Sequence, residues 1–373
     1  MRLTLLGQTG LLAVAFLTLP GLAVGQAQGT GDLVAVEAAT LFDGTDGQVA
    51  SEVTILIEDG RIVEVGADVS VPQGAEVIDL SEWTVLPGLM DLHTHLTGDP
   101  EDLGADRGAF LFQYPERPAL VGARNARTTL LAGFTTVRDV GAPGTTALAL
   151  RDAVQRGDVP GPRIVAAVSM GATGSHCDPT TGIRPGTADV EERRPFVFDG
   201  PGEAEGTVRR AVRAGADLIK VCATAGVLSL TEEIGPAQMT PKELEAVVTT
   251  AESLDRRVAA HAHGLEGIRN AVRAGVPVAF GTDAGVFAHG QNAQEFQLMV
   301  DAGMSPADAL LAATRDAARA LGMEDELGTV EAGRWADLVG VRGNPLEDVT
   351  VLEDVGFVMK EGVVYKKDGD PLP

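Results

Sequence analysis

Residues 88–96 read GLMDLHTHL, and they place His93 and His95 two positions apart at the end of an apolar run. In a strand, residues i and i+2 face the same side, so both imidazoles would converge on one space. One such pair is weak evidence for a metal. The chain repeats it, however: AAHAHG (259–264) closes another apolar run with His261 and His263. Four of the six histidines therefore fall into two pairs of the same design, and a shared metal role gains weight.

Two further strand ends extend the pattern. ADLIKVCAT (216–224) buries Lys220 inside an apolar β run, where an unpaired ammonium is costly, so it needs a negative partner or a change of chemical form. VAFGTDAG (278–285) ends on Asp283, for which the competing reading is a helix cap. A buried lysine and an aspartate, each beside a histidine pair, argue for a site together more than either does alone.

Between these points one unit recurs, as ARTTLLAGFTTVRDVG (126–141), VRRAVRAGADLIKVCATAG (208–226) and IRNAVRAGVPVAFGTDAG (268–285). Each is a helical pattern, then Ala-Gly, then an apolar run. Glycine after the last helical residue suits a left-handed C-cap, and the run after it reads as a buried parallel strand. Repetition in that order predicts βα units and a TIM-like (β/α) barrel whose strand ends carry the chemistry. Six barrel strands are expected, near 85–95, 134–140, 162–168, 216–223, 257–263 and 277–283. After Asp283 two helices follow, the second from Ser305-Pro306 through ADALLAATRDAARALG (307–322) to Gly322.

The chain ends differ in character. EVTILIEDGRIVEVG (52–66) alternates apolar and polar residues around an Asp-Gly turn, and residues 335–367 show the same short strands with a turn at Glu361-Gly362. Both predict an antiparallel β module, so residues 28–86 and 335–373 are expected to form one small β-sandwich domain interrupted by a barrel domain at 87–334. Residues 1–27 read as a signal peptide, with Arg2, the apolar LLAVAFLTLPGLAVG (11–25) and small residues for cleavage. The apolar run is broken by Pro20 and Gly21, which disfavours a membrane anchor, so an exported protein, periplasmic or secreted, is expected. A net charge of −24 argues against nucleic acid or an anionic membrane surface as partner. With two cysteines no disulfide framework is expected, and Cys222 reads as a small buried apolar residue.

PGLMDLHTH (87–95), the buried lysine in LIKVCATAG (218–226), AAHAHG and FGTDAGV (280–286) resemble, in order, the motifs of the metal-dependent amidohydrolase superfamily. GATGSHCD (171–178), AFGTDAGVFAHGQNAQEF (279–296) and LGTVEAGRWADLVGV (327–341) look like the branch of Xaa-Pro or Xaa-Arg/Lys dipeptidases, imidazolonepropionase-like proteins and ochratoxin-cleaving amidases. The resemblance implies two metal ions, zinc in most members. His93, His95 and Asp283 would bind the first, His261 the second, and a carboxylated Lys220 would bridge them. Asp283 would also be the catalytic base. His263, His176 and His289 are candidates for substrate binding, His263 and His289 also for the second ion, with a solvent-exposed loop histidine the competing reading for His176 and His289.

The chain departs from that pattern in one respect. The family's further histidine on the sixth strand has no counterpart, because RNAVRAGV runs directly into PVAFGTD. At ~30 residues per βα repeat, the loss amounts to roughly 60 residues, the sixth and seventh units. An incomplete barrel of about six strands is expected. The implied activity is hydrolysis of a peptide-like C–N bond in a small-molecule substrate, either a dipeptide or an N-acyl amino acid, by an enzyme that is a candidate homo-oligomer. Two alternatives stay open: a cyclic-amide hydrolase of the imidazolonepropionase kind, and a non-catalytic metal-binding remnant.

Overall fold

The computed structural model describes residues 33–100, 113–184, 194–225, 237–261 and 279–372. The expected signal peptide, His263 and the junction near residue 276 lie outside the described residues.

Strand β1 (Leu33–Phe42) pairs antiparallel with β2 (Val49–Glu58), which turns through Asp59 and Gly60 into β3 (Arg61–Gly66). Both turn residues have positive φ, 51° and 76°, as a tight hairpin turn requires. Strand β4 (Glu76–Pro87) lies on the other edge of β1 and runs parallel to it. Among the described residues this is the one parallel pairing in an otherwise antiparallel sheet: the β2–β3 hairpin already fills one edge of β1, and the returning chain crosses over to the other. From β4 the sheet continues into strands from the far end of the chain. These are β11 (Leu338–Val341), β12 (Phe357–Lys360), β13 (Val363–Lys367) and β14 (Asp370–Pro371), each antiparallel to its neighbour.

Alternate residues of both halves, among them Val36, Ile55, Leu80, Leu338 and Phe357, fill one core, so the sheet folds over on itself as a sandwich. The two turns singled out by their glycines meet there: Ala336 N donates to Gly60 O at 2.8 Å and Gly362 N to Ala336 O at 3.0 Å.

The second sheet is parallel. Its order is β10 (Arg257–His261), β9 (Leu218–Cys222), β7 (Arg163–Ala172), β6 (Phe134–Asp139), β5 (Leu89–Thr94), with β8 (Val197–Phe198) on the end of β7. Helices α1 (Arg117–Leu131), α2 (Thr146–Gln155), α3 (Pro201–Ala214) and α4 (Pro241–Ser253) follow successive strands. Residues such as Leu130, Phe134, Val168, Val208, Ile219 and Val247 form the core between helices and strands. Gly133 and Gly215 take φ of 95° and 101°, so both Ala-Gly pairs stop their helices as expected.

The sixth expected strand is only partly regular. Residues 280–284 run beside β5, where Leu92 N donates to Phe280 O at 2.9 Å, Asp283 N to His93 O at 2.7 Å and His95 N to Ala284 O at 2.7 Å. One ladder bridge, Thr94 to Ala284, is formed. The run therefore joins the first barrel strand, not the fifth, and β10 pairs with β9 alone among the described residues. Among the described residues the result is a curled parallel half-barrel, in which no ladder joins β10 to the 280–284 run.

Past Asp283 come α5 (Gln294–Asp301), α6 (Pro306–Ala312) and α7 (Arg315–Leu321). The helix expected from Ser305 to Gly322 is thus two helices. Ala312 O accepts from Phe280 N at 3.1 Å and Ala313 O from Met90 N at 2.8 Å. Those carbonyls serve the strand starts instead of a continuing helix, and the chain breaks at Thr314. Among the described residues no helix is long and apolar enough to cross a membrane.

Candidate metal centre

Strand β5 delivers His93 and His95 to one side, and the run zipped to it delivers Asp283. Asp283 Oδ1 lies 3.3 Å from His93 Nε2 and 3.1 Å from His95 Nε2. One ligand atom from each residue falls within 4.8 Å of the other two. Asp283 adopts φ 64°, a left-handed backbone that aspartate tolerates better than most residues and that turns the chain just after its contact with β5.

The orientation of the rings is set from outside. His95 Nδ1 sits 3.0 Å from Gly141 O, so this nitrogen carries the proton and Nε2 presents its lone pair. A Cβ at Gly141 would fall 2.7 Å from that ring, which is why the position is glycine. Burial, followed by the Lys220 ammonium, pushes His93 down to about 3, so its imidazole is neutral. Burial pulls His95 down as well, but the Asp283 hydrogen bond and Asp139 outweigh it and leave this imidazole raised. Burial raises Asp283, yet its hydrogen bond to His95, with the Lys220 ammonium behind it, brings it below the carboxylate range. Three lone-pair donors facing one another repel unless a proton or a cation sits among them. Two imidazoles and a carboxylate are an established donor set for zinc, so the residues fit the ion that the resemblance implies.

Beneath this cluster is a residue that the sequence reading missed. Asp91 is fully buried, and burial raises its pKa against four hydrogen bonds. Oδ1 accepts from His93 N (3.0 Å) and Thr282 N (3.1 Å), and Oδ2 from Thr282 Oγ1 (2.6 Å) and Asn292 Nδ2 (2.7 Å). Asp91 thereby bolts the backbone around His93 to the backbone around Asp283. Its signal was present: a charge inside the apolar run GLMDL calls for buried partners as surely as Lys220 does. Asp139 is likewise buried, pushed up to about 6 by that burial, and accepts from Leu96 N at 2.8 Å and Gly141 N at 3.1 Å.

Lys220 is buried on β9, and burial, then Arg138, lower its ammonium to about 8 against the pull of Asp283. His289 lies under His95: Nε2 is 3.2 Å from His95 O and Nδ1 3.2 Å from Thr129 Oγ1. Both ring nitrogens are engaged within the protein, which makes His289 a support for His95. Burial holds it down to about 4, hence neutral.

His261, at the end of β10, and His176, in the loop after β7, form a second pair of rings 5.3 Å apart. Cys222 is not an isolated apolar filler, because it is disulfide-bonded to Cys177. No local cue announces this bond, since the partners stand 45 residues apart and meet only when the loop folds back over β9.

The profile of the Amidohydrolase family matches residues 84–275 and, in a second overlapping match, 263–365. Among curated proteins, the ochratoxinase of Aspergillus niger is 27% identical over 423 aligned positions, covering 90% of this chain and 87% of that protein. An alignment of 423 positions against a chain of 373 residues leaves part of the relative without a counterpart here. Among solved structures, a Xaa-Pro dipeptidase with bound methionine in its active site superimposes with a TM-score of 0.82 at 34% identity, covering 90% of this chain and 100% of that one. The crystal structure of the A. niger ochratoxinase gives a TM-score of 0.75 at 25% identity, over 91% of this chain and 96% of that one.

Proposed function

The chain belongs to the Amidohydrolase family, and from that premise we propose that it is an exported, metal-dependent hydrolase that cleaves a peptide-like C–N bond in a dipeptide or an N-acyl amino acid. The observation that carries this reading is the convergence of His93, His95 and Asp283 on one point. The Xaa-Pro dipeptidase and ochratoxinase likenesses support the substrate class.

In this reading His93, His95 and Asp283 hold a first zinc ion, and Lys220 and His261 contribute to a second. When bound, the ions supply Lewis acidity that makes water nucleophilic near neutral pH and polarises the carbonyl under attack. The protein does the rest. Gly141 O and Asp91 fix the rings and the Asp283 backbone, so the donor set is organised before substrate arrives. Asp283 would take the proton of the attacking water and hand it to the leaving amine, the part a carboxylate fixed within reach of that water plays in general base and acid catalysis. An amine brought down to about 8 holds a larger neutral fraction at pH 7 than an ordinary lysine. The neutral amine is the form that adds carbon dioxide, which supports a carboxylated Lys220 and removes the cost of burying its charge.

The disulfide supports export, since such bonds persist in oxidising compartments. A second reading, a metal-binding protein without turnover, is favoured by β10 having no ladder partner beyond β9 among the described residues. Zinc analysis combined with a panel of dipeptides and N-acyl amino acids separates the two. Zinc uptake that His93→Ala abolishes, together with release of free amino acid, establishes the hydrolase. Uptake without release from any substrate establishes the second reading.

A further inference from the structure

We propose that His176 is a ligand of the second ion beside His261, taking the place that a sixth-strand histidine holds in the family. This rests on the metal-dependent reading above. The rings of His176 and His261 lie 5.3 Å apart at 34°, and those of His93 and His95 lie 5.5 Å apart at 59°. Two imidazoles on one tetrahedral zinc, each with its nitrogen about 2.0–2.1 Å from the ion, place their ring centres roughly 5 Å apart. The second pair therefore has the spacing of the first, although one of its members comes from a loop.

The chain builds this spacing deliberately. His261 is the register partner of Cys222 on the neighbouring strand. Cys222 is bonded to Cys177, and the residue before Cys177 is His176. The disulfide thus sets the loop histidine against the strand histidine. Lys220, two residues before Cys222, points to the same face of β9.

Two more ties hold the loop. His176 N donates to Gln238 Oε1 at 2.9 Å, and Gln238 N donates to Ala223 O at 2.9 Å, so the loop is fastened to the end of β9 by hydrogen bonds as well. Asp178 gathers Gly174 N, Thr180 N, Thr180 Oγ1 and Arg194 Nη2 at 2.6 to 3.1 Å, which closes the loop around its own carboxylate. On this proposal His176 acts as a ligand where the sequence suggested substrate binding, because its ring sits against that of His261.

The test is zinc titration of the metal-free, full-length protein with disulfide intact. Wild type should take up two zinc ions. His176→Ala should keep the first site and weaken the second at least about 10-fold, the lower end of what loss of even an outer partner costs. A measurement on the unsubstituted protein guards against a misfolded variant: carbethoxylation of His176, mapped by mass spectrometry, should be blocked by the second equivalent of zinc and not by the first. Two sites of unchanged affinity in His176→Ala, or labelling of His176 indifferent to zinc, would overturn the assignment and leave the hydrolase reading standing. Loss of the second ion in His263→Ala with none in His176→Ala would overturn it equally. A wild-type protein that binds no zinc would sink both readings together.

Discussion

Asp91 shows how much a single side chain outside the candidate ligand set can decide. It satisfies two donors from Thr282 beside Asp283, one from Asn292 just before α5 and one from β5, with no exposure to solvent. Asp91→Ala strands those donors, and we expect a loss of about 3 kcal/mol in urea unfolding of the metal-free protein. Asp91→Asn retains most of the acceptor geometry, and its smaller loss separates hydrogen bonding from packing. If Asp91→Ala unfolds at the wild-type midpoint, the network is ornamental. Asp283→Asn tests chemistry instead: turnover should fall at least about 100-fold while the fold persists, because an amide cannot take the proton. Turnover within a few fold of wild type would remove Asp283 as base. His93, His95, Lys220 and Asp283 were legible because strand alternation and burial cost are local rules. Asp91 obeys the same rule and should have been read with them. The Cys177–Cys222 bond obeys none, since it depends on a loop returning across a strand that sequence spacing does not report.

Among the elements, the start of α4 offers the clearest control by pH. Thr240 and Glu243 form a capping box, in which Glu243 N donates to Thr240 Oγ1 at 3.3 Å and Thr240 N to Glu243 Oε2 at 2.8 Å. Glu243 also accepts from Gly200 N at 2.9 Å, tying the start of α3 to that of α4. The Thr240 backbone hydrogen bond is the largest influence and holds the Glu243 carboxyl below its ordinary 4.5. A folded pKa below the unfolded one means stability that is complete above 4.5 and lost as pH falls through the lowered folded value. Glu243→Gln should cost about 1 kcal/mol at neutral pH and flatten the acid limb of the stability curve. An acid limb as steep in the variant as in wild type would place the titration elsewhere. Sequence reading found the stops of α1 and α3 from their Ala-Gly pairs and the start of α6 from Ser305-Pro306, because caps and glycines announce them, whereas α4 and its capping box went unread. It missed the break at Thr314 because the cause is tertiary: carbonyls of α6 are claimed by Met90 and Phe280, far away in sequence.

For the molecule as a whole, the disulfide and the β10 edge of the half-barrel pull in opposite directions. Closing a loop over 45 residues removes unfolded-chain entropy worth about 4 kcal/mol at room temperature. The double replacement Cys177→Ser with Cys222→Ser should lower stability by an amount of that order, and no change in thermal midpoint would show that the bond does not form in solution. Alternate amides of β10 lack a ladder partner among the described residues, while β6 and β7 are paired on both edges. Hydrogen exchange should therefore be slow in β6 and β7 and much faster at the outward amides of β10. Equal protection across the sheet would mean that something covers that edge. The shortened barrel was visible in the joined motif RNAVRAGVPVAFGTD, but the side to which the last run attaches was not, because register between strands is decided by backbone pairing and leaves no trace in a single sequence.

Because the run bearing Asp283 is zipped to β5, all three residues of the first cluster lie on the β5 side of the half-barrel and owe nothing to β10. Among the described residues β10 and the 280–284 run each keep an edge without a ladder partner, so a separate polypeptide of two βα units, added in trans, should dock there without having to rebuild the His93, His95 and Asp283 cluster.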